Sequence, residues 1–324
     1  MHNRGVAEKW CSYGRMPDFP IRTAAELRAE GLTFTMTRRR VRDGELLRVR
    51  HGAYTDGGGH QLSAWEQHAR LTRATVGILH PGSVVSHASA AVHWGLSTFP
   101  LDLSRVTVTR PDASARASRW VHSYRAPLSF DDVCVVDGVA FTTLARTVID
   151  LARLHAFEWG VAWCDQALRL GCDPDELAEV VAGSRRRPGN ARAQRAVAFA
   201  DERAESPLES ISRVQIWRLG FPAPELQYEV REGGTPTGRF VARCDFAWLG
   251  GRLVAEADGR TKYEPASIRE GDTPTDVIVR EKARQEAIRR QGWWFVRWGF
   301  ADAMNPERLR RILDDGFRLT PRAG

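Results

Sequence analysis

Residues 239–258 read RFVARCDFAWLGGRLVAEAD, and the paired glycines Gly250 and Gly251 near their middle predict two strands of one hairpin. A turn centred on those glycines sets Asp245 opposite Glu256 and Arg243 opposite Asp258, and any even-length loop at the same centre keeps that register. Because side chains alternate across a sheet, Phe240, Ala242, Cys244, Phe246 and Trp248 are expected with Leu253, Ala255 and Ala257 on one apolar side. Arg243, Asp245, Glu256 and Asp258 then share the other. Two opposed carboxylates with Cβ atoms ~5 Å apart repel each other, an arrangement that calls for a cation between them. Metal-dependent phosphodiester hydrolysis uses such a pair: Asp245 and Glu256 would hold Mg²⁺, which activates a water and neutralises charge on the phosphate. The spacing equally allows Arg243 to neutralise Asp245 and Asp258 on an ordinary solvated sheet face.

Upstream of the hairpin, Ser206, Pro207 and Glu209 open a helix running to Gly220 as its cap, first-turn proline and capping-box acid, with Leu208, Ile211, Ile216 and Leu219 as its buried stripe. Residues 226–230 alternate as a strand. Downstream, 275–290 predicts a long helix whose Val277, Val279, Ala283 and Ala287 face the sheet, with Arg280, Lys282, Arg284, Arg289 and Arg290 supplying charge. Trp293–Trp298 follows as a buried strand and Pro306–Phe317 as a closing helix.

Towards the N-terminus, TAAELRAEG at 23–31 predicts a short helix capped by Thr23. TMTRRRVRD at 35–43 predicts a second, capped by Thr35 or Thr37, with Met36 and Val41 inward and Arg38, Arg39, Arg40 and Arg42 exposed. Residues 46–54 then alternate Leu47 and Val49 with Arg48 and Arg50 as a basic strand pair, before the turn-forming glycines of 56–59. Helix, turn, arginine-rich helix and basic hairpin is the order of a winged helix-turn-helix, in which the second helix enters the major groove and the hairpin touches phosphates. Arginine serves both tasks, since its fork matches guanine O6/N7 and phosphate oxygens. A solvated arginine face on a small helical lead-in is the other meaning of the same pattern.

Between these ends, residues 62–79, 86–94, 143–155, 158–170 and 174–182 predict helices, and 106–109, 120–124 and 133–141 predict strands. His87 and His93 share a helix but not a face, so they are expected to be structural histidines rather than a ligand pair. GSRRRPGN at 183–190 is the expected linker.

Two stretches resemble known families. IRTAAELRAEGLTFTMTRRRVRDGELLRVRHGAYT at 21–55, with SHASAAVHWGL at 86–96 and VDGVAFTTLARTVIDLARL at 136–154, resembles actinobacterial proteins bearing the AbiEi-type antitoxin N-terminal domain. That resemblance implies a DNA-binding winged helix that represses its own operon and a nucleotidyltransferase-type toxin as partner. CDFAWLGGRLVAEADGRTKY at 244–263, with SPLES before it and EKARQEAIRRQGWWFVRWGFADAM after it, is similar to a domain family allied to the very-short-patch-repair endonucleases, within the PD-(D/E)XK superfamily. It implies Glu209, Asp245 and Glu256 as the site acids. Asp258 stands where the (D/E)XK lysine belongs, with Lys262 or Lys282 left to supply the amine.

A formal charge of +7 on 324 residues suits a polyanionic partner, and Lys9, Lys262 and Lys282 are the only lysines, so nearly all the positive charge is arginine. Five scattered cysteines without a CxxC pair argue against a disulfide framework or a zinc ribbon. Residues 1–20 carry no signal-peptide core and no later run spans a membrane, which predicts a soluble, cytoplasmic chain with a poorly ordered lead-in of ~18 residues. The expected fold is α/β in three parts: a winged helix-turn-helix at 19–58, a mixed α/β middle at 59–188 and a restriction-endonuclease-like domain with a mixed sheet at 200–322. Two functions follow. One is a double-stranded-DNA-binding protein with an Mg²⁺-dependent endonuclease-like domain; the other is a non-catalytic antitoxin and repressor.

Overall fold

A computed structural model describes residues 20–57, 62–112, 118–258 and 274–320. Among them the chain is mixed α/β, with twelve helices and three sheets. Part of the 56–59 glycine turn, the N-terminal lead-in and Lys262 lie outside the described residues. Contacts divide the chain into two units, residues 1–154 with 172–190 and residues 155–171 with 191–324. This division differs from the boundaries expected at 58/59 and 188/200. The winged segment packs with the middle segment as one unit, and the helix at 157–169 belongs to the second.

The first unit begins with β1 (Arg22–Thr23), α1 (Ala24–Ala29), α2 (Phe34–Arg42), β2 (Leu46–Arg50) and β3 (Ala53–Asp56), its small sheet ordered β1-β3-β2. Thr23 caps α1 in a closed capping box with Glu26. The cap of α2 is Thr33, whose hydroxyl accepts from the Met36 N–H at 3.3 Å, and not Thr35 or Thr37. That earlier start rotates the helix. Thr37 becomes its buried residue, while Met36, expected inward, stands 46% exposed. Leu27, Leu32 and Leu46, with Val41 and Tyr54 against them, form the core under the helices.

The rest of the unit is a five-stranded sheet ordered β6-β5-β4-β8-β7. It comprises β4 (Val84–Val85), β5 (Val106–Arg110), β6 (Val121–Arg125), β7 (Val133–Val136) and β8 (Val139–Thr142), with α3 (Ala64–Val76), α4 (His87–His93), α5 (Leu144–Leu154) and α7 (Pro174–Gly183). The single strand expected at 133–141 is two, because Asp137 and Gly138 both take positive φ, the backbone that reverses a two-residue hairpin. His87 and His93 are buried, each in ring contact: His87 on Tyr124 and His93 on Phe141. The expected linker is packed rather than loose. Ser184 and Asn190 are buried and Arg187 pairs with Asp150 at 3.0 Å.

The second unit holds the mixed sheet β12-β11-β10-β9: β9 (Glu225–Arg231), β10 (Phe240–Trp248), β11 (Leu253–Asp258) and β12 (Trp294–Gly299), with only β11 and β12 parallel. Around it lie α6 (Phe157–Arg169), α8 (Asn190–Phe199), α9 (Pro207–Arg218), α10 (Pro274–Arg290), α11 (Phe300–Ala303) and α12 (Pro306–Leu319). On one side, Phe246 stacks on Trp298, whose indole donates to Ser212 of α9 at 2.8 Å. On the other, Val254 and Phe295 bury against Ile288 of α10. Ile288 is that helix's anchor, whereas Val279 and Ala283, expected inward, are exposed. Among the described residues no helix is long and apolar enough to cross a membrane.

Candidate functional site

The hairpin expected from the glycine pair forms with its expected register. Trp248 pairs Leu253, Ala247 pairs Val254 and Phe246 pairs Ala255, where the paired ladder ends one step short of Asp245 and Glu256. The reversal uses a 3₁₀ turn at Leu249–Gly251 followed by Arg252 in the left-handed region. At Asp245 the ladder gives way, because its Oδ2 accepts the Ala257 N–H at 2.8 Å. Strict alternation ends there too. Ala242 and Cys244 share a buried cluster with Ala247 and Val254, Phe246 turns to Trp298, and Phe240 is exposed, so the single apolar face expected from 240 to 248 is not what forms.

Glu209, near the start of α9, is buried and does not close its capping box. Its Oε2 accepts instead from the Glu205 N–H and the Gln227 side-chain amide, both at 2.8 Å. Burial pushes the Asp245 carboxyl up to about 7, reinforced by the negative charges of Glu209 and Glu256 and opposed by the Ala257 N–H and Arg284. The three acids named from the sequence are therefore close enough to feel one another.

Two arginines neutralise Glu256. Glu256 is ion-paired through Oε1 to Arg284 and through Oε2 to Arg297 at 2.8 Å. Arg297 also reaches Glu281 at 2.5 Å and Asp258 at 3.6 Å. Arg243, the expected neutraliser of Asp245 and Asp258, pairs with Glu205 at 2.7 Å. Lys282 is exposed on α10.

The residues present do not fit Mg²⁺. Both oxygens of Glu256 face guanidinium groups, and one oxygen each of Asp245 and Glu209 is taken by N–H donors. Among the described residues no group of three or more His, Cys, Asp or Glu side chains has the arrangement of a metal site. Gln227, Glu281 and Arg297 went unrecognised in the sequence. The usable signal was Arg297 itself, a charge inside the apolar run WWFVRW that must find a partner when its strand is buried.

In the first unit, Arg38, Arg39, Arg40 and Arg42 are exposed along α2, whose buried residue is Thr37. Arg38 lies over the Phe34 ring at 5.9 Å. Arg39 and Arg42 both approach Asp43, at 3.5 and 3.2 Å, and Arg40 approaches Glu45 at 3.5 Å. On β2, Arg48 is exposed and contacts the His51 ring at 3.1 Å. Arg50, expected beside it at the surface, is instead a tether: its Nε donates to the Ala74 carbonyl at 2.7 Å and its Nη1 to the His51 carbonyl at 2.8 Å. A bulge between Arg48 and Arg50 sends the two side chains to different surroundings.

No family model matches the chain. Two proteins of Mycobacterium tuberculosis are similar to it: "Uncharacterized protein MT2308" of strain CDC 1551 / Oshkosh and "Uncharacterized protein Rv2248" of strain ATCC 25618 / H37Rv. Each is 35% identical over 162 residues, 50% of this chain and 55% of the relative. The match thus spans about half the length of these curated relatives.

Proposed function

We propose that the chain is a double-stranded-DNA-binding protein of the antitoxin and repressor type, which reads duplex DNA through α2 and β2 and does not cut it. The observation that carries this is the run of exposed guanidinium groups on α2, Arg38, Arg39, Arg40 and Arg42, on a helix whose buried residue is Thr37. Arg48 on the adjoining strand extends the basic surface towards the phosphates. A cytoplasmic setting and a nucleotidyltransferase-type toxin as partner go with this function. The test is electrophoretic mobility shift of duplexes, including the promoter upstream of the protein's own gene, over a salt titration. Salt-sensitive shifts without cleavage are expected, and native protein that ignores duplex DNA even at low salt overturns the proposal.

A second function, metal-dependent endonuclease, is favoured by one observation: Glu209, Asp245 and Glu256, on α9, β10 and β11, come close enough to interact, and burial with the charges of the other two raises the Asp245 carboxyl. The arginine pairing of Glu256 weighs against it. Plasmid incubated with Mg²⁺ or Mn²⁺ decides between the two. Cleavage by the parent that disappears in both Asp245→Ala and Glu256→Ala establishes the nuclease, and an intact plasmid leaves the binding function alone.

A further inference from the structure

The first turn of α2 exposes apolar surface. Phe34 is 72% exposed and Met36 46% exposed, at the end of the helix that reaches base edges when such a helix enters a major groove. A guanidinium lies over the Phe34 ring. The Arg38 guanidinium, one turn on, lies 5.9 Å from its ring centroid. The other arginines of the helix stand beside carboxylates: Arg39 and Arg42 with Asp43, and Arg40 with Glu45. Arg38 is thus set apart from its neighbours by leaning on an aromatic ring rather than on an acid.

A major groove offers chemistry suited to that pair. The 5-methyl group of a pyrimidine is its apolar feature, and guanine O6 with N7 is the acceptor pair that a guanidinium fork fits bidentately. Successive base pairs rise ~3.4 Å, so an apolar group and a fork side by side on one helix face can address neighbouring steps. The exposed arginines around them supply the charge complementarity that commits this face to a polyanionic duplex.

Resting on the DNA-binding function proposed above, we infer that Phe34 and Arg38 act together as a dinucleotide reader, the ring against a pyrimidine 5-methyl group and the guanidinium on the guanine that follows it. Thymine–guanine and 5-methylcytosine–guanine steps both present this pattern. Unmethylated cytosine–guanine lacks the methyl. Arg39 and Arg42 then bind backbone phosphates.

The experiment is selection of duplexes from a random library by the full-length protein, followed by base replacement in the winning duplex. The enriched site is expected to contain a thymine–guanine step. Uracil in place of that thymine removes only the methyl and weakens binding roughly tenfold. Placing 5-methylcytosine there restores binding, while unmodified cytosine does not, so the two sources of the methyl are compared directly. Phe34→Ala binds the thymine duplex as weakly as the parent binds the uracil duplex and no longer distinguishes the two, and Arg38→Lys relaxes selection at the guanine. Circular dichroism checks that both variants fold, as exposed positions should, and Phe34→Leu retains part of the methyl preference. Salt-sensitive duplex binding with no preference for a methyl-bearing step overturns this inference and leaves DNA binding standing. Failure to bind any duplex overturns both.

Discussion

His93 is buried with its ring stacked 3.9 Å from Phe141, and among the described residues neither ring nitrogen has a hydrogen-bond partner. Burial pushes its pKa down to about 4, and that of His87 likewise. An unfolded chain takes up the His93 proton near 6.5, so between those values the unfolded state binds more protons than the folded one. The stability tied to His93 is therefore complete above about pH 6.5 and is lost as the pH falls towards 4. His93→Phe keeps the stack and removes the titration. Urea denaturation is expected to show the variant gaining about 2 kcal/mol on the parent at about pH 5 relative to about pH 7.5. Glu256 is a different case, a buried carboxylate ion-paired to Arg284 and Arg297. Removing one partner of a buried pair strands the other, so Arg297→Ala is expected to cost about 2–3 kcal/mol in the same assay, and Lys282→Ala, at an exposed site, close to nothing.

Among the elements, α2 shows how a shift of its start changes what a helix presents. The cap is Thr33 rather than Thr35 or Thr37, with Met36 turned outward and Thr37 inward. Thr33→Ala removes the cap hydrogen bond, and a loss of about 1 kcal/mol in thermal denaturation is the expected result. Arg50 makes a different case. As a tether between β2 and the carbonyl of Ala74, its replacement by alanine should lower stability by about 1–2 kcal/mol while leaving the salt dependence of DNA binding unchanged. A steepness reduced as much as by Arg39→Ala would show that Arg50 contacts phosphate instead. The β10–β11 hairpin was legible in advance because two glycines fix the centre of a turn and the centre fixes the register. Its departure at Asp245 was not. Whether a carboxylate takes a backbone N–H in place of a ladder pair depends on the room beside it, which strand periodicity does not encode.

For the whole molecule, nearly all the positive charge is arginine, and the fold uses it in two ways. On α2 the guanidinium groups face outward; about Glu256 and Asp150 they are consumed by buried or half-buried carboxylates. Replacing Arg39 and Arg42 together by alanine should lower the slope of log K against log salt by about 2, close to one counterion per lost phosphate contact. In the second unit, millimolar Mg²⁺ or a chelator should leave the thermal midpoint of the parent unchanged, because guanidinium groups already balance the acids. A clear rise with Mg²⁺ would mean that the arginines yield to a cation. By itself the sequence determined the α/β class, the placement of most helices and strands, and the register of the β10–β11 hairpin, since these rest on local periodicity, caps and turn chemistry. Tertiary structure alone decided that Arg284 and Arg297 close on Glu256, that Glu209 turns to Gln227 and that Arg50 faces inward. Those outcomes depend on residues far apart in the chain meeting in a confined space, where the nearest opposite charge or open hydrogen bond takes the group.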